Sequence, residues 1–204
     1  MNKKEKITAH KEMSKKILNK ETEIAEEIII QINDFYNEQN KNWKNLFVII
    51  KDLMYISLKQ TYKITLQSLN DIYNLDFNIP NKISNKEIDN YVYSKDNKTL
   101  SERIQEHIND AEEEIISKST LKFKITRILD NETLVVSHKL IKAKLKKKKI
   151  EYGMIITGGG CDRICCNQNI EEWMPIDEID EPPYHPNCTC EIIYGDNEPD
   201  DDEE

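Results

Sequence analysis

Apolar residues recur at steps of three and four over most of the first 79 positions, and neither Pro nor Gly occurs before Pro80. One stripe holds Ile24, Ile28, Ile32 and Phe35. A second runs Phe47, Ile50, Met54, Leu58, Tyr62, Leu66, Leu69 and Tyr73. That period places each set on one face of an α-helix. The polar stretch NEQNKN at 37–42 reads as the turn between them, so the region is expected to fold as an antiparallel helical hairpin or as part of a bundle. The stripes are expected to supply the protein's own core in preference to a groove for a partner.

NIPNKISN at 78–85 breaks the pattern. Ser84 followed by Glu87 fits a capping box, which predicts a short helix from there. Leu100, Ile104, Ile108, Ala111 and Ile115 predict a further helix within 94–119, capped by Thr99 or Ser101. LKFKITRI at 121–128 alternates apolar and polar, a strand pattern. Residues 131–149 predict a helix with Leu134, Ile141 and Leu145 on its face and a basic C-terminal end that suits the helix dipole. EYGMIIT (151–157) and CEIIY (190–194) read as short strands.

The expected fold is mostly α: an extended N-terminal helical hairpin or bundle over 1–80, then a smaller α+β C-terminal domain over 81–195. Two short strands close a Cys/His knuckle in that second part. Residues 196–204, DNEPDDDEE, are expected to be a disordered acidic tail. The formal charge is −9, and this segment contributes seven of the negative charges, leaving −2 for the rest. A charged content of 33% against 38% hydrophobic suggests long exposed helices and a modest core.

Runs such as IAEEIII and LFVII fall far short of the roughly 20 residues that cross a bilayer, so no membrane partner is expected. The first 16 residues lack the apolar core of a secretory signal, which points to a reducing cytoplasm. There the five cysteines, an odd number, favour metal or free thiols over a disulfide framework.

All five lie between Cys161 and Cys190. GGGCDRICC (158–166) offers Cys161, Cys165 and Cys166, and PPYHPNCTC (182–190) offers His185, Cys188 and Cys190. Zn²⁺ takes four such ligands in a tetrahedron. The two-residue gap between His185 and Cys188 lets both converge on one ion, and Pro182, Pro183 and Pro186 stiffen the turn. A structural zinc is the favoured reading, with six candidates for four places; a disulfide and plain buried thiols stay open. A catalytic zinc would need a nearby base. Glu171, Glu172 and Asp177 are present, but their spacing singles out none of them.

The same window resembles the end of the phage Mu F-like head morphogenesis proteins, the minor head or minor capsid proteins. Asp162, Arg163, Ile164 and Cys165 match that family's first element. Pro182, Pro183, His185, Pro186, Asn187, Cys188 and Cys190 match its finish. KTLSERI at 98–104 is similar to the segment that opens the family's domain, so the resemblance covers about residues 95–194. This chain departs from the pattern at Gln168, where the family has a second knuckle Cys, and at Thr189, where it has Arg. The resemblance implies a virion component near the portal vertex. It would be assembled in the host cytoplasm with a portal protein and a major capsid protein as partners, sometimes with DNA, and would not be an enzyme.

KLIKAKLKKKK at 139–149 carries seven lysines and no acid: Lys139, Lys142, Lys144, Lys146, Lys147, Lys148 and Lys149. The last six are candidates for a nonspecific phosphate contact, with a solvated helix end as the plainer reading. HKE at 10–12 copies the H-x-E of zinc deaminases but has no P-C-x-x-C partner. His107 and His138 are expected at surface or satisfied core positions.

Overall fold

The computed structural model describes residues 1–93, 98–156, 172–179 and 191–195. Its first helix, α1 (Lys3–Asn37), starts at a reciprocal cap. Asn2 Oδ1 accepts the Glu5 N–H at 2.9 Å, and Glu5 Oε2 accepts the Asn2 N–H at 2.9 Å. The chain turns at 38–42 into α2 (Trp43–Tyr73), as the polar break predicts. α2 ends at Asn74 in the left-handed conformation, φ 51°. The Asn70 side chain then grips both the N–H and the carbonyl of Phe77, fixing the exit.

α3 (Asn85–Asp89) is capped by Ser84, whose hydroxyl accepts the Glu87 N–H. The Glu87 carboxylate does not close the box; it accepts from Tyr62 Oη at 2.8 Å and ties α3 to α2. α4 (Leu100–Glu112) begins at a full capping box between Thr99 and Glu102. It stops before Ile115, which was expected on its face. Glu114 takes a positive φ of 59°, the Ile115 N–H reaches back to the Asp110 carbonyl, and Ile115 is left exposed.

The largest correction is at 121–128, which is helical and not a strand. α5 (Lys118–Lys147) runs unbroken through it from a Ser117 cap. Over eight residues the alternation at Leu121, Phe123 and Ile125 overlaps a helical set, Leu121, Ile125, Ile128 and Leu129, and the helical set is the one buried. Phe123, which only a strand would have buried, is 61% exposed under Arg127. α5 is buried over most of its circumference because α1, α2 and α4 all pack on it. Leu134, expected on its inner face, is half-buried, while Ile141 and Leu145 are fully inside.

Both predicted strands form. β1 (Tyr152–Ile156) pairs antiparallel with β3 (Glu191–Gly195), and a third strand not anticipated from the sequence, β2 (Trp173–Pro175), pairs on the other edge. The predicted stripes do serve an internal core. One cluster joins Ile28, Ile32 and Phe35 of α1 to α2, α3, α4 and α5. A second joins Met13 and Ile17 of α1, Leu69 of α2, and Ile141 and Leu145 of α5 to Ile155, Ile176, Ile192 and Tyr194 of the sheet region. No described helix is long and apolar enough to cross a membrane.

Gly153 sits where the sheet is most crowded. A Cβ there would lie 2.6 Å from Ile179 Cδ1 and 3.2 Å from both Ile192 Cγ2 and Tyr194 Cδ1. The Ile179 methyl can swing away, but the other two are held by β3. Gly153→Ala should therefore cost about 1–3 kcal/mol, read as a lower urea midpoint at unchanged slope.

Candidate functional site

The register of the sheet decides where the cysteine-bearing stretches attach. Ile156 stands opposite Glu191 and Met154 opposite Trp173, while Tyr152 faces Gly195 on one side and Pro175 on the other. The stretch bearing Cys161, Cys165 and Cys166 leaves β1 after Ile156 and rejoins the described chain beside Trp173. The stretch bearing His185, Cys188 and Cys190 rejoins it at Glu191. These three attachment points thus share one end of the sheet; the second stretch leaves the described chain after Ile179. The five predicted ligands Cys161, Cys165, His185, Cys188 and Cys190 themselves lie outside the described residues, as do Cys166 and the acidic segment 196–204. Among the described residues no cluster of three His, Cys, Asp or Glu could hold a metal ion.

The lysines at the end of α5 are mostly engaged within the molecule. Lys142 Nζ donates to the Ile179 carbonyl at 3.0 Å, and Lys146 bonds Asp177. Lys148 bonds Asp76 at 2.7 Å, and both Lys148 and Lys144 lie over the Phe77 ring. Burial pushes the Lys144 ammonium below the usual lysine range, with Lys147 adding to the effect. These contacts strap the turn after β2, and the 76–77 segment after α2, to α5. Asp177, one of the acids considered as a base, is exposed and held by Lys146, which lowers its pKa. Only Lys147 and Lys149 of the six candidate phosphate contacts have no partner among the described residues.

No family model, curated protein or solved structure matches the chain. The chemistry has to be read from its own residues.

A polar seam that the sequence did not announce runs between α1, α2, α5 and β3. His10, which the H-x-E comparison places in a lysine-rich helix start, is 1% exposed. Its Nε2 lies 2.9 Å from Tyr73 Oη, which also accepts the Tyr194 N–H at 3.0 Å. Lys6 Nζ donates to the Tyr194 carbonyl at 3.3 Å. Burial, with the neighbouring His138 and Lys6 in support, lowers the His10 pKa to about 3; burial lowers that of His138 to about 4. Both rings are therefore neutral at pH 7. His138 is in the core, yet its Nδ1 has no hydrogen-bond partner among the described residues, so the expectation of a satisfied or surface position does not hold for it. The signal for His10 was its spacing: it falls three and seven residues before Met13 and Ile17, on the buried stripe.

Farther along the same face of α1, Glu21 is buried against Asp130 of α5. Desolvation, and then the hydrogen bond to Asp130, raise its pKa well above the carboxylate range. A second buried acid, Glu132, is 1% exposed and ion-paired with Arg103 of α4. It also accepts the Tyr93 N–H at 2.8 Å. Each of these acids joins two elements. A broadly open pocket of about 1040 Å³ lies between the hairpin turn and α4, lined by Lys41, Trp43, Phe47, Val48, Gln105 and Glu112 among others.

Proposed function

We propose that this chain is a minor head protein of a tailed bacteriophage, with a structural and assembly role at the portal vertex during head morphogenesis, DNA packaging or delivery. In this reading it is not an enzyme. It docks on the portal through its helical N-terminal half, and a structural zinc held by four of the Cys/His candidates fastens its C-terminal lobe. The observation that carries the proposal is the run PPYHPNCTC leading directly into β3, whose pairing with β1 anchors both cysteine-bearing stretches at one end of a small sheet. Support also comes from the hydrogen bonding spent on holding helices together: the buried carboxylates and His10 serve as joints.

An ion bound there would contribute directly to folding free energy, since the three described strands total only 13 residues. Elemental analysis of the purified chain should give one zinc per molecule, with all five thiols titrating after unfolding. A disulfide with no zinc would remove the knuckle. The role is tested separately by co-expression with a portal ring: co-purification is expected, and its failure would remove the portal assignment while leaving the zinc result standing. The alternative of a nucleic-acid-binding module resting on the α5 lysines is less favoured, because four of those six side chains are already committed to contacts within the molecule.

A further inference from the structure

Charge is divided sharply along α1. Residues 1–20 hold seven lysines against two glutamates, and residues 21–38 hold six acids and no base. One of the lysines, Lys6, is spent on the Tyr194 carbonyl. Lys4, Lys11 and Lys15 are exposed and take part in no ion pair among the described residues. Spaced at seven and four residues, they fall on one solvent-facing side of the helix, about 10 Å and 6 Å apart along its axis. Of the two acids nearby, Glu5 is occupied with the Asn2 cap, and Glu12 lies a quarter-turn or so off this row.

The described chain ends at Gly195, one residue after the carbonyl that Lys6 holds. The next nine residues are DNEPDDDEE. Their contour length is about 30 Å, against about 17 Å for the run from Lys4 to Lys15.

We propose that the row Lys4–Lys11–Lys15 is the docking surface for the chain's own acidic segment 196–204. The contact is electrostatic and needs no fixed conformation of the segment. It sets the basic end of the molecule to repel or release nucleic-acid backbone unless the segment is displaced. Tethering beside the surface supplies a local concentration in the millimolar range, so weak contacts suffice. The inference does not depend on the zinc or on the portal assignment.

Two measurements on the full chain test it. Carbodiimide coupling at low salt, mapped by mass spectrometry, should join carboxylates of 196–204 to Lys4, Lys11 and Lys15, leave Lys41 and Lys44 at the hairpin turn uncoupled, and fade in 0.5 M salt. Coupling spread evenly over the lysines would overturn the proposal. Deleting 196–204 should tighten binding to a 20-base-pair DNA about tenfold at 50 mM salt, given a tethered competitor in the millimolar range. In that truncated chain, Lys4→Gln, Lys11→Gln and Lys15→Gln together should cancel the gain and reduce the salt slope by nearly 3. An unchanged affinity on truncation, or a gain that survives the triple substitution, would equally overturn it, the latter by assigning the effect to overall charge.

Discussion

Replacing Arg103 by alanine should destabilise the protein by about 3–5 kcal/mol, the range typical of breaking a buried ion pair from one side. Its partner Glu132 is 1% exposed, and without the guanidinium its carboxylate keeps one hydrogen bond, from the Tyr93 N–H, and the weaker influence of the Lys139 charge. Burial already pushes the Glu132 carboxyl upward even with Arg103 beside it, so the group is poorly solvated. Arg103 also donates to the Tyr93 carbonyl at 3.0 Å, so its loss frees the end of the 84–93 segment as well. The double replacement Arg103→Leu with Glu132→Leu should cost far less than the sum of the single changes, because no uncompensated charge remains. Urea unfolding of the four proteins gives the coupling energy directly. Single variants within 1 kcal/mol of the parent would mean that the pair is solvated and that α4 is held to α5 by apolar contacts alone.

Acid should unfold this protein through its histidines before most carboxylates titrate. Burial lowers the pKa values of the His10 and His138 rings from 6.5 to about 3 and about 4. Their contribution is fully present above pH 6.5 and is lost as the pH falls toward those values, because the unfolded chain takes up protons that the folded chain refuses. Each contributes a slope of about 1.4 kcal/mol per pH unit in that window. Glu21 has the opposite sign. Its pKa is raised, so its contribution is present below the ordinary carboxylate pKa and lost as the pH rises through the folded value. The raised carboxyls of Asp130 and Glu132 act in the same sense as Glu21, so the histidine contribution is isolated by substitution. His138→Leu should flatten the acid limb by one proton's worth of slope. An acid limb unchanged in that variant would show that the ring is solvated and charged in the folded state.

What could be read beforehand follows from how local each signal was. The hairpin was legible because two faces of eight and four apolar residues repeat without a breaker, and because a polar hexapeptide separates them. Ser84 and Thr99 identified their helix starts because capping is settled within four residues. The pairing of 151–157 with 190–194 was legible as two β-like segments, but the register was not, since it depends on side chains from α1 and α5 that pack against the sheet. The strand assigned to 121–128 failed because eight residues cannot separate a period of 2 from one of 3.6; the 30-residue continuity of α5 decided it. His10, Glu21 and Glu132 were missed for one common reason. A polar residue on an apolar stripe looks like an interruption until its partner, 63 to 128 positions away in the case of His10 and Tyr73 or His138, is brought alongside.

The second apolar cluster joins Met13 and Ile17 to Ile192 and Tyr194. During translation at about 5–20 residues per second, the last of these emerges roughly 10 to 40 s after the first. For that interval the opening turns of α1 stand ready with half of their packing surface missing. A nascent chain of this design presents a sticky, lysine-flanked patch to the cell until its final strand arrives, which is the kind of surface that chaperones shield.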